Sequence, residues 1–143
     1  MSGRDGGYLL VRAGRRRVGL ALNQVVEVLD AGPAYPVPSL DPSVRGVTTV
    51  RGRILPLVHL GALLDGGSCP SARGEAAVMV ELDGYRFCLE VEEAETVLLE
   101  PGLPVPDGTT LPWAVAVARH ADGLVPLLDL TALGARFTEA VPA

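Results

Sequence analysis

Lysine is absent from this chain, and all 12 of its basic residues are arginine. Set against 17 Asp and Glu they leave a net charge of −5. A chain of that sign lacks the basic face that holds nucleic acid, and it is equally unsuited to anionic lipid. Cysteine is scarce: Cys69 and Cys88 cannot make a disulfide framework, and nothing points to an oxidising compartment. They stand 19 residues apart without a CxxC pair, which is not zinc spacing. Histidine is limited to His59 and His120, and no GxSxG, HExxH, P-loop or GxGxxG pattern occurs. No metal and no cofactor are therefore expected. No apolar run approaches the roughly 20 residues of a membrane helix, and the start, MSGRDGGY, lacks the apolar stretch of a signal peptide. The expectation is a cytoplasmic protein without direct membrane insertion. Aromatic residues are few, with Trp 1, Tyr 3 and Phe 2, so Val, Leu and Ala must fill the core of a chain that is 48% hydrophobic.

What is abundant is turn chemistry. Gly 17 and Pro 12 are scattered between short apolar runs over 143 residues, the length of one domain made of many short strands. Tyr8 to Val11 and Arg17 to Leu22 read as a hairpin closed near Gly14, with Val18, Leu20 and Leu22 alternating on one buried face. From Asn23 the spacing of Val25, Val26, Val28 and Leu29 changes to that of a short helical turn, with Asn23 as its cap. Pro33, Pro36, Pro38 and Pro42 hold the next residues extended. Val44 to Leu64 then reads as two strands around Gly52, with Pro56 indicating an edge strand or a bulge.

After a Gly- and Ser-rich linker the plan repeats. Asp83-Gly84 between alternating apolar runs is a strong hairpin signal. Phe87, Leu89 and Val91 match Val18, Leu20 and Leu22 at an offset of 69, as Val97 and Leu98 match Val28 and Leu29. LVPLLDLTALG from Leu124 matches ILPLVHLGALL from Ile54 at an offset of 70, with Pro126 on Pro56. Two similar subdomains are expected: one over about 14–64, a linker over 65–75, and a second over about 76–134 that also takes the strand 8–12. The class is mainly β, with short strands and close turns favouring small barrels over a sandwich of long strands.

Charge is unevenly placed. Between Pro42 and Leu64 there are three arginines, Arg45, Arg51 and Arg53, and no acid, while Phe87 to Ala118 holds Glu90, Glu92, Glu93, Glu95, Glu100 and Asp107 and no base. Such polarity is either a docking feature or a solvated face. Catalytic groups are not in evidence. Cys88 alternates with core residues, His59 reads as an outward strand residue, Asp129 as a cap for a turn beginning near Thr131, and the adjacent Glu92 and Glu93 point apart on a strand. An enzyme is not expected.

The runs VGLALNQVVEVL, VRGVTTVRGRILPLVHL, GYRFCLEV and LVPLLDL resemble the CheW family of bacterial chemosensory adaptors over about residues 8–134. The two RG pairs ahead of a proline-containing strand carry most of the likeness. The resemblance implies two interleaved five-stranded SH3-like β-barrels with short helices, no catalytic activity, and a groove between the barrels. It implies as partners the cytoplasmic tip of a methyl-accepting chemoreceptor and the regulatory domain of a CheA-type histidine kinase. Carried over by position, Arg51 is the arginine of the second RG, Arg45 that of the first, and Val25 and Glu27 are groove positions. Val25 is alternatively plain core, and Arg51 a solvated loop charge. Three positions depart from the family pattern: Thr49 and Val50 stand where Asn-Leu is usual, and His59 where Asp is usual. They leave open a divergent accessory module that binds receptors or another CheW-like barrel but not the kinase.

Overall fold

The computed structural model describes residues 6–108, 113–120 and 123–133. Strands β1 (Tyr8–Ala13) and β2 (Arg16–Ala21) form the expected hairpin, with Gly14 at a φ of 69° in its turn. A single 3-10 turn, Leu22–Gln24, leads into β3 (Val25–Asp30). The helical turn expected over these valines is therefore a strand, and Asn23 caps nothing. Two physical reasons apply: β-branched valine favours a pleated surface, and β3 carries apolar residues on both its faces, which hides in the sequence the period of two that its burial keeps. Val25 packs on the main core while Val26 and Val28 face outward. After the proline crossing come β4 (Val44–Val50), β5 (Arg53–His59) and the short helix α1 (Leu60–Asp65). The second repeat supplies β6 (Ala76–Leu82), β7 (Tyr85–Val91), β8 (Glu93–Leu98), β9 (Ala114–His120), β10 (Gly123–Leu128) and a 3-10 turn, Leu130–Leu133. The predicted end of the second subdomain, at 134, lies outside the described residues.

The strands form two five-stranded sheets, ordered β8-β1-β2-β10-β9 and β3-β6-β7-β5-β4. Each repeat thus lends its first hairpin to the other. The β1–β2 hairpin joins β8, β9 and β10, and the β6–β7 hairpin joins β3, β4 and β5, through short parallel ladders of β2 on β10 and β7 on β5. A boundary at the linker consequently does not separate the two sheets. Residues 14–22 belong with the later strands and 76–91 with the earlier ones. Matching apolar patterns reveal that two repeats exist, but partner choice between repeats is a tertiary matter that periodicity does not encode.

Burial follows from this exchange. One large core lies between the sheets, built from residues such as Val11, Val18, Leu20, Val58, Leu63, Val80, Phe87 and Leu89. Two smaller ones lie within the curl of each sheet: Tyr8, Ala21, Ala116, Ala118 and Leu127 in one, and Leu55, Leu57, Ala77, Met79 and Cys88 in the other. Leu98 of β8 packs on the cluster that holds Ala116 of β9, and Leu29 of β3 and Val50 of β4 both pack on the other cluster, so each sheet curls until its outer strands share a core.

Pro56 sits inside a sheet, between β7 and β4, so the edge-strand expectation is corrected. Its partner Val47 turns both backbone groups away from β5 to bond Tyr35, at 2.8 and 2.9 Å. The side of β5 on which an N–H is missing therefore faces β7, and that ladder starts only at Leu57. Pro126 repeats the device opposite Val117, which bonds Leu103 at 2.7 and 2.9 Å, with the β2 ladder starting at Leu127.

Candidate functional site

The two RG pairs occupy two special backbone positions. Arg45 sits at a bulge in β4, where the register with β5 shifts between Val44 and Gly46. Gly46 has a φ of 144°, and a Cβ there would lie 2.1 Å from the Tyr35 carbonyl oxygen, so no side chain fits. Arg51 and Gly52 form the two-residue loop between β4 and β5, with φ values of 49° and 79°. Asp83 and Gly84 make the same loop between β6 and β7, at 52° and 81°. Left-handed backbone at both positions suits Asp-Gly or Asn-Gly, whereas arginine there is strained by roughly 1 kcal/mol or more.

The two arginines have opposite fates. Arg45 is turned inward: its guanidinium reaches Glu90 at 2.7 and 2.8 Å and also donates to the carbonyls of Pro70 and Ala72 at 2.9 and 3.2 Å. Glu90 is fully buried and also takes Arg73 of the linker. Arg45 thus clamps the linker over a buried carboxylate. Arg51 is turned outward, with a side chain 66% exposed, and pairs with Glu27 on β3. As β3 and the β4–β5 loop lie at opposite ends of one sheet, this pair bridges its two outer strands. Val25 is half-buried on the main core. The exposed apolar side chains of β3 are its neighbours Val26 and Val28, at 41% and 44%. Sequence reasoning passed over these two because a helical reading of the segment gave them no outward face.

Beside Val28 a cleft of about 520 Å³ runs between β3 of one sheet and β8 of the other. Leu29 and Ala94 line it, and Asp30, Glu75 and Glu93 stand exposed along it. Of the acidic run, Glu93 stands here and Glu100 and Asp107 are exposed elsewhere. Glu90, Glu92 and Glu95 are instead engaged inside: Glu95 binds Arg17 at 2.6 and 3.1 Å, a contact that outweighs burial and holds its carboxyl below the usual range.

His59 is buried, not outward. Its Nδ1 accepts the Ala62 N–H at 3.0 Å, making it the N-cap of α1, and its Nε2 lies 2.8 Å from Oε2 of Glu92. The other Glu92 oxygen accepts the Gly14 N–H at 2.5 Å. Burial raises the Glu92 pKa, but the bonds from Gly14 and His59 outweigh it, and the carboxyl is held below its ordinary range. Asp129 is the cap expected of it. It accepts the Thr131 N–H at 2.9 Å and its hydroxyl, while Gln24 Nε2 donates at 2.8 Å and Gln24 Oε1 accepts the Leu130 N–H at 2.8 Å. Burial of Asp129 is likewise outweighed by these bonds, leaving its pKa low.

Nothing in this arrangement is a nucleophile or a metal centre. Burial pushes the Cys88 thiol up to about 11 and raises that of Cys69, so neither is a thiolate near neutrality. Among the described residues no three His, Cys, Asp or Glu gather to hold a metal ion. No helix of the described residues is long and apolar enough to cross a membrane.

Comparison with known proteins gives the lineage. The CheW-like domain family matches residues 7–136. No curated protein matches the sequence. The crystal structure of the scaffolding protein TtCheW from Thermoanaerobacter tengcongensis is similar in fold, with a TM-score of 0.73 at 19% identity, over 87% of this chain and 88% of that one. The chain belongs to the CheW-like domain family, whose members are non-enzymatic scaffolding proteins.

Proposed function

We propose that this protein is a chemosensory adaptor that couples the cytoplasmic tip of a methyl-accepting chemoreceptor to the regulatory domain of a CheA-type histidine kinase. The observation that carries the reading is Arg51: a long cation kept in a strained left-handed loop position, exposed, beside an outer strand with two exposed valines. Its twin loop uses Asp83, which that backbone accommodates easily. Strain held at a surface arginine without a packing role points to recognition. A receptor hairpin offers an amphipathic helical face. Val26 and Val28 supply apolar area to meet it, Arg51 with Glu27 a charged anchor that fixes orientation, and the β3–β8 cleft a seat. Val25 and Arg45 support this surface from inside, the first through the core and the second through the linker clamp.

Two of the three departures from the family pattern lie away from the exposed surface. His59 is buried at the α1 cap and Val50 packs on the core inside the curl, so of the three only Thr49 alters the surface. The test is capture by a receptor-tip fragment and, separately, by a kinase regulatory domain. Arg51→Glu is expected to weaken receptor capture at least tenfold with an unchanged circular dichroism spectrum; undiminished capture removes Arg51 from the surface. Receptor capture without kinase capture leaves the accessory-module reading in place of coupling.

A further inference from the structure

The strand-to-helix junction of the first repeat contains a titratable cap where the second repeat has one that stays ionised from pH 5 to 8. The Ala62 N–H can only donate, so Nδ1 of His59 carries no proton, and the proton of the neutral ring sits on Nε2, directed at Glu92. Both nitrogens are therefore committed. One caps α1, and the other ties α1 to the bend between β7 and β8, where Glu92 also holds the β1–β2 turn through Gly14.

We infer that His59 is a pH-sensitive latch: a second proton, which can only go on Nδ1, turns that atom from acceptor to donor and releases the α1 N-cap while the ring keeps its hold on Glu92. Two N–H groups then face each other across the 3.0 Å that the cap spanned, and the α1 N-terminus must move or lose its partner.

The surroundings leave the added charge poorly balanced on the Nδ1 side. Glu92 meets Nε2 only, and its lowered pKa keeps it ionised through the range in which a histidine titrates. Glu90, opposite His59 in the β5–β7 register, is already paired with Arg45 from β4 and Arg73 from the linker. Arg15 and Arg16 line the cavity beside the ring, and Asp65, at the end of α1, is paired with Arg16 at 2.7 Å. From the linker, Cys69 donates to the Ser43 carbonyl and, with its thiol pKa raised, brings no charge. Asp41 is engaged locally, its Oδ1 accepting the Ser43 N–H at 2.8 Å and the Ser43 hydroxyl at 2.6 Å. At the matching junction Asp129 and Gln24 make the same two connections with no group that changes charge near neutrality.

The test is nitrogen and amide NMR on the intact chain from pH 8 to pH 5. At pH 8 the His59 ring is expected as the neutral tautomer with its proton on Nε2. As the pH falls, the Ala62 amide shift is expected to move with the same midpoint as the ring, and Ala62 protection from exchange to drop roughly fivefold, the worth of one side-chain cap. His120 serves as the internal control, its titration leaving Ala62 unmoved. The pair exchange His59→Asp with Glu92→Gln, which transplants the second junction, is expected to flatten the Ala62 response across this range, as is His59→Asn alone. An Nδ1–H ring at pH 8, a ring that remains neutral down to pH 5, or an Ala62 amide indifferent to the ring's titration would each overturn the latch.

Discussion

In one sheet Arg45 of β4 lies against a buried carboxylate, Glu90 of β7; at the matching positions of the other sheet, 70 residues on and 69 residues back, stand Val115 of β9 and Ala21 of β2, both packed in an apolar core. The junctions differ in the same spirit: His59 with Glu92 in one, Asp129 with Gln24 in the other, each pair joining one repeat to the other. One scaffold thus tolerates ionic and apolar solutions at the same place. The difference teaches that the fold requires geometry there, a filled space and a satisfied cap, while the charge is an addition. The charges gather on the half that contains the linker, the latch and Arg51.

The largest break in that comparison is Glu90→Ala. It strands the nearly buried Arg45 without its carboxylate and frees the exposed Arg73, and denaturant unfolding should register a loss of about 3 kcal/mol. Adding Arg45→Val, which copies the apolar pair of the other half, is expected to recover much of that loss, because replacing a buried ion pair with packed apolar groups is often neutral. A double variant no more stable than the single one would mean that the clamp on Pro70 and Ala72, and not the buried charge, is what Arg45 supplies.

Asp129→Ala comes next, at about 1 kcal/mol for the lost cap. It also carries a pH signature. A carboxyl whose folded pKa lies below its unfolded value contributes stability that is present above the unfolded value, near 4, and is lost as pH falls through the folded one. Asp129, Glu92 and Glu95 all behave so. The wild type should lose stability below about pH 4.5, and the variant should show a shallower acid slope. The smallest effect is that of Arg51→Asn. Asparagine relieves the left-handed strain but gives up an exposed ion pair with Glu27, so stability should change little in either direction. Binding of a receptor tip, by contrast, should fall.

How much of this was legible in the sequence depended on whether the cause was local. Asp83-Gly84 announced its hairpin because two residues set that turn, and Asp129 announced its cap because Thr131 is two residues away. The repeats could be aligned through Pro56 and Pro126, which hold equivalent places in the two sheets. Arg45 could not be placed, since Glu90 lies 45 residues along the chain and on another strand. His59 was misjudged for the same reason: its alternation in β5 suggested an outward face, but Glu92, 33 residues on, and the first turn of α1 close over it. The exchange of hairpins and the exposed Val26 and Val28 follow from how the sheets curl, which neither composition nor period expresses.

The central claim is that β3, the Arg51 loop and the neighbouring cleft receive a receptor's helical hairpin. Its most direct test is a titration of the isotopically labelled chain with a receptor-tip hairpin, followed by amide shifts. The account predicts saturable shifts centred on Val26, Val28 and Arg51 and reaching Ala94 across the cleft, with β9 and the β6–β7 loop unmoved. Shifts centred on those last two elements, or none at saturating fragment, would contradict it.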